Sequence, residues 1–487
     1  MSEKTKSLSK GGLFYLMYQV LNLAFPLITG IYVTHVLLPD TIGTVAAAQN
    51  LANYFVIFSF LGIPTYGIRE IAKYRNNKDE RSKVYSELFV INSISTTIFL
   101  LVYVGLILIV PTYRENLVLY LITGISIALN FFNISWLFEG MEDFQFISIR
   151  NLIFKIISFV FLVIFVRSKN DYLWFALVTV VGTAGNYIVN MLCTKKYVKF
   201  SVSGLNLKRH MSSIIYLVAV NLAIEIYSLM DITMMNFVCK KDSITFYKYG
   251  HAVELMLLQV VNTFTIVLIP RISAYYKENK ISEFNRLISK GFKLIFLFAV
   301  PMIIGTFFTA DFLMVKLYGS EYIVSSYILK LFVGLLLVSP IGYLLGSRVL
   351  LVTGNEKKML ISVGIGALVN LIGNWILIPQ LYEYGATIAS LTSEVVVMVI
   401  YICLGKKYFK LENVIPTIIR IIAAGIVMSA ALWACELLET GWIKLIIQVA
   451  AGGLSYAVSL IVLREEIVMS YLKVMIAKLK KRGVKET

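Results

Sequence analysis

The stretch LFVINSISTTIFLLVYVGLILIV, residues 88–110, is followed by PTYREN at 111–116 and then by LVLYLITGISIALNFFNISWLF at 117–138. Each apolar run is long enough to cross the hydrocarbon layer of a bilayer as a helix, which takes about 20 residues. The hexapeptide between them can only turn the chain around. Read outward from this pair, the same rule gives fourteen spans. They lie at about 12–37, 42–63, 85–110, 116–138, 146–167, 171–193, 212–238, 249–270, 287–309, 321–346, 357–379, 384–404, 414–436 and 442–463. Together they take up roughly 60% of the chain and leave no stretch for a soluble domain.

Composition agrees. The 487 residues are 58% hydrophobic and 15% charged, with a mean hydropathy of +0.79, whereas soluble domains are about 45–50% apolar and about 25% charged. The expected fold is an all-α polytopic membrane protein. Cys193, Cys239, Cys403 and Cys435 lie far apart without CxxC spacing, and there are three histidines. That argues against disulfide, zinc and haem frameworks, so no metal or cofactor is expected. The leader MSEKTKSLSKGG opens an apolar run too long for a signal peptide and reads as the approach to a retained first span.

The net charge of +17 has a topological explanation. With a cytoplasmic N-terminus, 33 of the 45 basic residues fall in inward segments and 8 in outward ones. This bias predicts cytoplasmic termini on both ends of a multi-pass protein. The basic residues are spread over many loops at one membrane face, which excludes a nucleic-acid partner and names the lipid bilayer instead. The segment 464–487 reads as a basic amphipathic tail on the inner surface. Four cations, Arg150, Lys155, Lys330 and Arg420, fall within spans.

An internal repeat runs through the chain. KKYVK at 195–199 matches KKYFK at 406–410, and GMEDFQFISI at 140–149 matches GNEKKMLISV at 354–363. REIAKYRNN at 69–77 matches RISAYYKEN at 271–279, and Asn22-Leu23-Ala24 recurs as Asn221-Leu222-Ala223. The expected organisation is a six-helix lobe at 1–200, a second at 201–410, helices thirteen and fourteen at 411–463, and the tail. An even helix number gives both lobes the same orientation, as in transporters built from parallel repeats that hold substrate between the halves.

Polar residues inside spans fall into stripes. Asn22 in span one, Gln49 and Asn53 in span two, Asn130 in span four, Asn221 in span seven, and Asn370 and Asn374 in span eleven are candidates to line a cavity. The competing reading is helix–helix hydrogen bonding. Glu225, Asp231 and Glu254 are candidates for carrying a coupling proton or sodium ion, or alternatively for buried ion pairs. Arg69, Arg150, Lys155, Lys330 and Arg348 are candidates for an anionic headgroup, since Arg offers phosphate a bidentate fork. Arg150 is also within snorkelling reach of the inner interface, whereas Lys155 lies deeper and shares a face with Asn151 and Ser158.

IPTYGIREIAKYRN at 63–76, WLFEGMEDFQFISIRNLIFK at 136–155, IYSLMDITMMNF at 226–237, IPRISAYY at 269–276 and EYGATIASLTSE at 383–394 resemble Wzx-type polysaccharide repeat-unit flippases. These belong to the multidrug/oligosaccharidyl-lipid/polysaccharide exporter superfamily, whose two six-helix lobes match the repeat. The resemblance implies a non-enzymatic flippase of the bacterial cytoplasmic membrane. It would move an undecaprenyl-pyrophosphate-linked oligosaccharide from inner to outer leaflet for capsule or O-antigen assembly, with polysaccharide polymerase machinery as a partner. Arg69, Arg150, Lys155 and Asp231 match motif positions of that family. The peptidoglycan-precursor flippases of the superfamily use arginines in spans one and two, where this chain has Asn, Gln and Tyr. A drug or metabolite exporter of the same superfamily is the alternative. A membrane glycosyltransferase or polymerase fits less well, because the outward loops are too short to fold.

Overall fold

The computed structural model describes residues 25–472 apart from 267, without the side chains of 216–228, 266, 269, 270 and 347. Asn22 and the tail beyond 472 therefore lie outside the described residues, and the Asn221 and Glu225 side chains are not described.

The described residues form helices and no strand. In chain order they are α1 (Phe25–Val36), α2 (Pro39–Phe60), α3 (Ile63–Lys73), α4 (Lys78–Ile109), α5 (Leu117–Leu129), α6 (Ser135–Gly140), α7 (Phe144–Phe165), α8 (Tyr172–Ala184), α9 (Asn186–Cys193), α10 (Lys208–Val238) and α11 (Lys241–Ile266). There follow α12 (Ile269–Lys277), α13 (Ile281–Tyr318), α14 (Ile323–Phe332), α15 (Leu335–Tyr343), α16 (Glu356–Gly405), α17 (Val414–Ala434) and α18 (Trp442–Val462). Among the described residues, nine helices are long and apolar enough to cross a membrane, or ten if one bent pair is counted as a span. That is fewer than fourteen, partly because α16 spans 50 residues and breaks at Tyr382 (φ 51°, ψ −125°), three residues after Pro379. Its two parts cover the expected spans eleven and twelve.

The chain divides into two compact units, 1–245 with 378–383, and 246–377 with 384–487. In the first unit, helix starts are set by local chemistry. Asn77 accepts hydrogen bonds from the N–H groups of Asp79 and Glu80 at the head of α4, and Asp143 accepts one from Phe146 at the head of α7. Leu61 and Gly62, both left-handed, break the helix after α2, and the short α3 then packs on α6. The approach is close. A Cβ on Gly67 would come within 2.7 Å of the Trp136 ring, and one on Gly140 within 2.7 Å of Ile71. Tyr85, Leu88, Leu137, Phe138 and Ile147 complete this core.

Polar bonds lock the same end of the unit. Arg75 donates to the Gly140 carbonyl at 2.9 Å and pairs with Glu142 at 2.9 Å, so the two motifs around 69–77 and 140–149 are joined directly. Glu87 is fully buried. Its carboxylate accepts from the Asn206 N–H at 2.8 Å and from Arg209 Nε at 2.8 Å, and His210 Nε2 lies 2.8 Å away. Such a network is worth having only complete, since removing one partner leaves a charge buried.

The repeat recurs at atomic level within each unit. In the first, the N–H groups of Lys199 and Ser201 donate to the hydroxyls of Ser82 and Ser86 on α4, both at 3.0 Å. In the second, the N–H groups of Lys410 and Glu412 donate to Asn285 at 3.0 Å and Ser289 at 2.9 Å on α13. There, α13 packs with α17 and α18, and the Tyr456 hydroxyl donates to the Leu297 carbonyl at 2.9 Å. The Lys293 ammonium, 2.7 Å from Glu466, holds that carboxyl below its usual range.

The packing yields a paired prediction. Gly67→Ala adds a methyl against a Trp136 ring that is 2% exposed, and should lower stability by about 1–3 kcal/mol. Gly105→Ala, with nothing within 4 Å of the new Cβ, should leave the melting temperature in detergent unchanged or slightly higher. Equal melting temperatures for the two variants would contradict the α3–α6 contact.

Candidate functional site

Helix α7 brings the membrane-embedded cations together. Its 22 residues make a rod of about 33 Å, with Lys155 near its middle and Arg150 about a turn and a half nearer its start. The helix is held against α8 by Ser158, whose hydroxyl donates to the Val178 carbonyl at 3.0 Å. Gly182 permits that approach, because a Cβ there would sit 2.5 Å from the Ser158 hydroxyl.

Beside this contact lies a cavity of about 500 Å³ within the first unit. Arg150, Asn151 and Lys155 of α7 form one wall, and Asn133, Trp136 and Glu139 another. Asn186 and Tyr187 of α9, with Phe25 and Pro26 of α1, close the remainder. Arg150 is 5% exposed, donates to the Asn151 side-chain oxygen at 3.3 Å and lies 5.5 Å from the Phe146 ring. Lys155 Nζ sits 5.1 Å above the Phe25 ring, a cation–π contact. Glu139 is near enough to Arg150 for the two charges to interact. Among the described lining residues, two cations thus face one carboxylate. A positively biased chamber with amide side chains and aromatic faces suits an anion bearing hydroxyl-rich groups.

The other expected site residues stand elsewhere. Arg69 has a side chain 62% exposed on α3, next to Glu70 at 3.7 Å, and lines no described cavity. Lys330 is not in the chamber wall; it pairs with Asp311 at 2.7 Å, an aspartate that also accepts from the Ser326 hydroxyl at 2.5 Å. Arg348, in a π-helical turn at Leu344–Leu350, donates to the Tyr343 hydroxyl at 2.9 Å. Arg420 donates to the Arg464 carbonyl at 3.3 Å. Of the four cations within spans, Arg150 and Lys155 are the ones that reach the cavity.

The amide stripes divide similarly. Asn130 is fully buried and donates to Ser59 at 2.7 Å, so it joins helices and does not line the chamber. Asn133 lines it instead. Asn370 donates to Ser390 at 3.1 Å and Asn374 to Asn370 at 3.1 Å, a ladder across the two parts of α16. Asn53 is exposed and Gln49 half-buried on α2. Glu139, Asn186 and Tyr187 were not expected at the site. Their signal was weak, because each lies beside a helix break where a stripe loses its register.

Among the acidic candidates, Asp231 is 5% exposed on α10. Glu254 on α11 is fully buried, with His251 Nε2 at 3.6 Å and Glu394 near enough to interact electrostatically. Ser339 donates to Glu394 at 3.3 Å.

A helical membrane protein with a buried cation-lined chamber is built as a transporter is built. The chain belongs to the polysaccharide biosynthesis protein family (Polysacc_synt), which matches residues 8–276, and so bears out its resemblance to the Wzx-type flippases. A provisionally named O-antigen transporter of Escherichia coli (strain K12) is 22% identical over 414 residues, covering 82% of this chain and 96% of that protein. Among solved structures, the lipid II flippase MurJ in an inward closed conformation matches with a TM-score of 0.68 at 17% identity, over 88% of this chain and 99% of its own. An inward-facing multidrug resistance MATE family transporter of the MOP superfamily matches with a TM-score of 0.65 at 13% identity, over 79% and 93%. These likenesses establish the fold.

Because Lys330 is committed to Asp311, a double-mutant cycle of Lys330→Ala and Asp311→Ala should give a coupling of about 1 kcal/mol in thermal or denaturant melts. Additive effects of the two changes would return Lys330 to the candidates for ligand binding.

Proposed function

We propose that this protein flips an undecaprenyl-pyrophosphate-linked oligosaccharide repeat unit from the inner to the outer leaflet of the bacterial cytoplasmic membrane, for capsule or O-antigen assembly. The observation that carries this reading is the chamber of the first unit, with Arg150 and Lys155 in its wall. Pyrophosphate would meet the Arg150 guanidinium and the Lys155 ammonium, sugars the amide and aromatic side chains, and the polyprenyl tail would stay in the bilayer. Two six-helix lobes, 1–200 and 201–410, would work by alternating access, with the chamber inside the first and both chain termini in the cytoplasm. Helices 411–463 would offer a surface for the tail, and polymerase machinery would take the product. A cationic chamber is a poor host for the cationic substrates common among drug exporters, which favours the glycolipid reading.

Movement against a gradient needs a second partner, and among the described carboxylates Glu254 is the candidate for a coupling ion. It is fully buried, with His251 Nε2 at 3.6 Å and Glu394 near enough to interact electrostatically.

The test is reconstitution in liposomes with a fluorescent undecaprenyl-pyrophosphate oligosaccharide, scored by protection from an external quencher. Arg150→Ala and Lys155→Ala should each slow transfer at least tenfold, whereas Arg69→Ala should change it less than threefold. Glu254→Gln should abolish the response to an imposed proton or sodium gradient and leave gradient-free equilibration. Absence of protein-dependent transfer, or unaltered transfer by both cation variants, would overturn the reading.

A further inference from the structure

Arg150 borders more than one cavity. A second, more open pocket of about 490 Å³ lies on the other side of α7, where α7 meets α9. Its wall comprises Ile149, Arg150 and Ile153 from α7, Val189 from α9, and Lys196 and Asp143 at one end. Two cations, Arg150 and Lys196, line the pocket; Lys196 lies 5.1 Å from the Tyr197 ring, and Asp143 accepts bonds from the Tyr197 hydroxyl and the Phe146 N–H. Ile149, Ile153, Phe154 and Val189 make the rest of the wall largely apolar.

That apolar wall continues along the helix. Ile149, Ile153, Ile156, Val160 and Ile164 are all exposed, from 43% to 54%. Their spacing of four, three, four and four residues puts them on one face of α7. An exposed apolar stripe along a spanning helix suits hydrocarbon, and the pocket adjoins this stripe at Ile149 and Ile153. An anion-binding end joined to a hydrocarbon track has the shape of a lipid with a phosphate headgroup. The Arg150 side chain, nine-tenths buried, also forms the wall of the inner chamber.

We infer that the α7–α9 pocket is a docking site for the phosphate of the lipid-linked substrate as it arrives from the membrane. Arg150 and Lys196 hold the anion, the Ile149–Ile164 stripe carries the prenyl chain, and Arg150 is common to this site and the chamber. The inference rests on the flippase reading, which keeps the tail in the bilayer, and it adds the place on the protein where headgroup and tail are first held. An ordinary anionic phospholipid is the competing occupant. The shared Arg150 favours the substrate, because a structural lipid has no need of contact with the chamber.

The experiment uses the full chain in nanodiscs with radiolabelled undecaprenyl pyrophosphate. One variant carries a photoreactive p-benzoylphenylalanine at Ile153, in the outer pocket. A second carries it at Thr183, which lines the chamber alone of the two. Label at Ile153 that falls at least fivefold with Lys196→Glu, and that survives a hundredfold excess of phosphatidylglycerol, is the expected result. Label at Thr183 without label at Ile153 would overturn the docking site and leave the flippase reading standing. Displacement at Ile153 by phosphatidylglycerol would assign the pocket to ordinary lipid and overturn it equally. No label at either position would overturn both.

Discussion

A charge placed in the middle of a membrane helix costs about 2.5–3.5 kcal/mol unless something answers it. Lys330, Arg420, Arg150 and Lys155, cations that the sequence places within spans, are answered in three ways. Lys330 has Asp311. Arg420 reaches a backbone carbonyl beyond the end of its neighbouring helix. Arg150 and Lys155 open on a polar chamber shared with Asn133, Glu139 and Asn186. Beside that chamber α7 packs along α8, with Ser158 and Gly182 setting the close approach.

The chamber's walls come from short elements, α6 and α9, and from α7, none of which holds its position alone. Helix α6 is held by the Gly67–Trp136 contact and by Arg75 bridging to Gly140 and Glu142, α7 by Ser158 against α8, and α9 by Asn190, which donates to the Ser135 hydroxyl at 3.2 Å. The recurrence of the same loop-to-helix bonds in the second unit gives each unit a comparable clamp. Alternating access by movement of whole bodies requires units that hold their shape. In the proposed mechanism the clamp residues would supply that, and Trp136 belongs both to the clamp and to the chamber wall.

The helices were legible in the sequence because hydrophobic length is a strong signal, and α7 with its two cations could be singled out directly. The charge pattern and the inner-end motifs also pointed to elements that the structure joins. What the sequence could not decide was what each polar residue faces. Asn130 and Asn133 sit three apart on one stripe, yet a 3-10 turn at Asn130–Phe132 breaks the register. One then bonds to Ser59, and the other lines the chamber. Lys330 was likewise read without its partner. Asp311 lies in the preceding helix, on the far side of the turn at Gly319 (φ 109°), at a distance from that turn close enough to Lys330's own for the two to meet across a hairpin. Motif matching gave Arg69, whereas Arg75, six residues on, is the arginine that holds the motifs together.

The central claim is that the Arg150–Lys155 chamber holds a pyrophosphate. The most direct measurement is a cryo-electron microscopy map of the full chain in nanodiscs with undecaprenyl pyrophosphate. The account predicts headgroup density within hydrogen-bonding distance of the Lys155 ammonium and the Arg150 guanidinium. Headgroup density elsewhere, with the chamber filled by water or by an acyl chain, would contradict it.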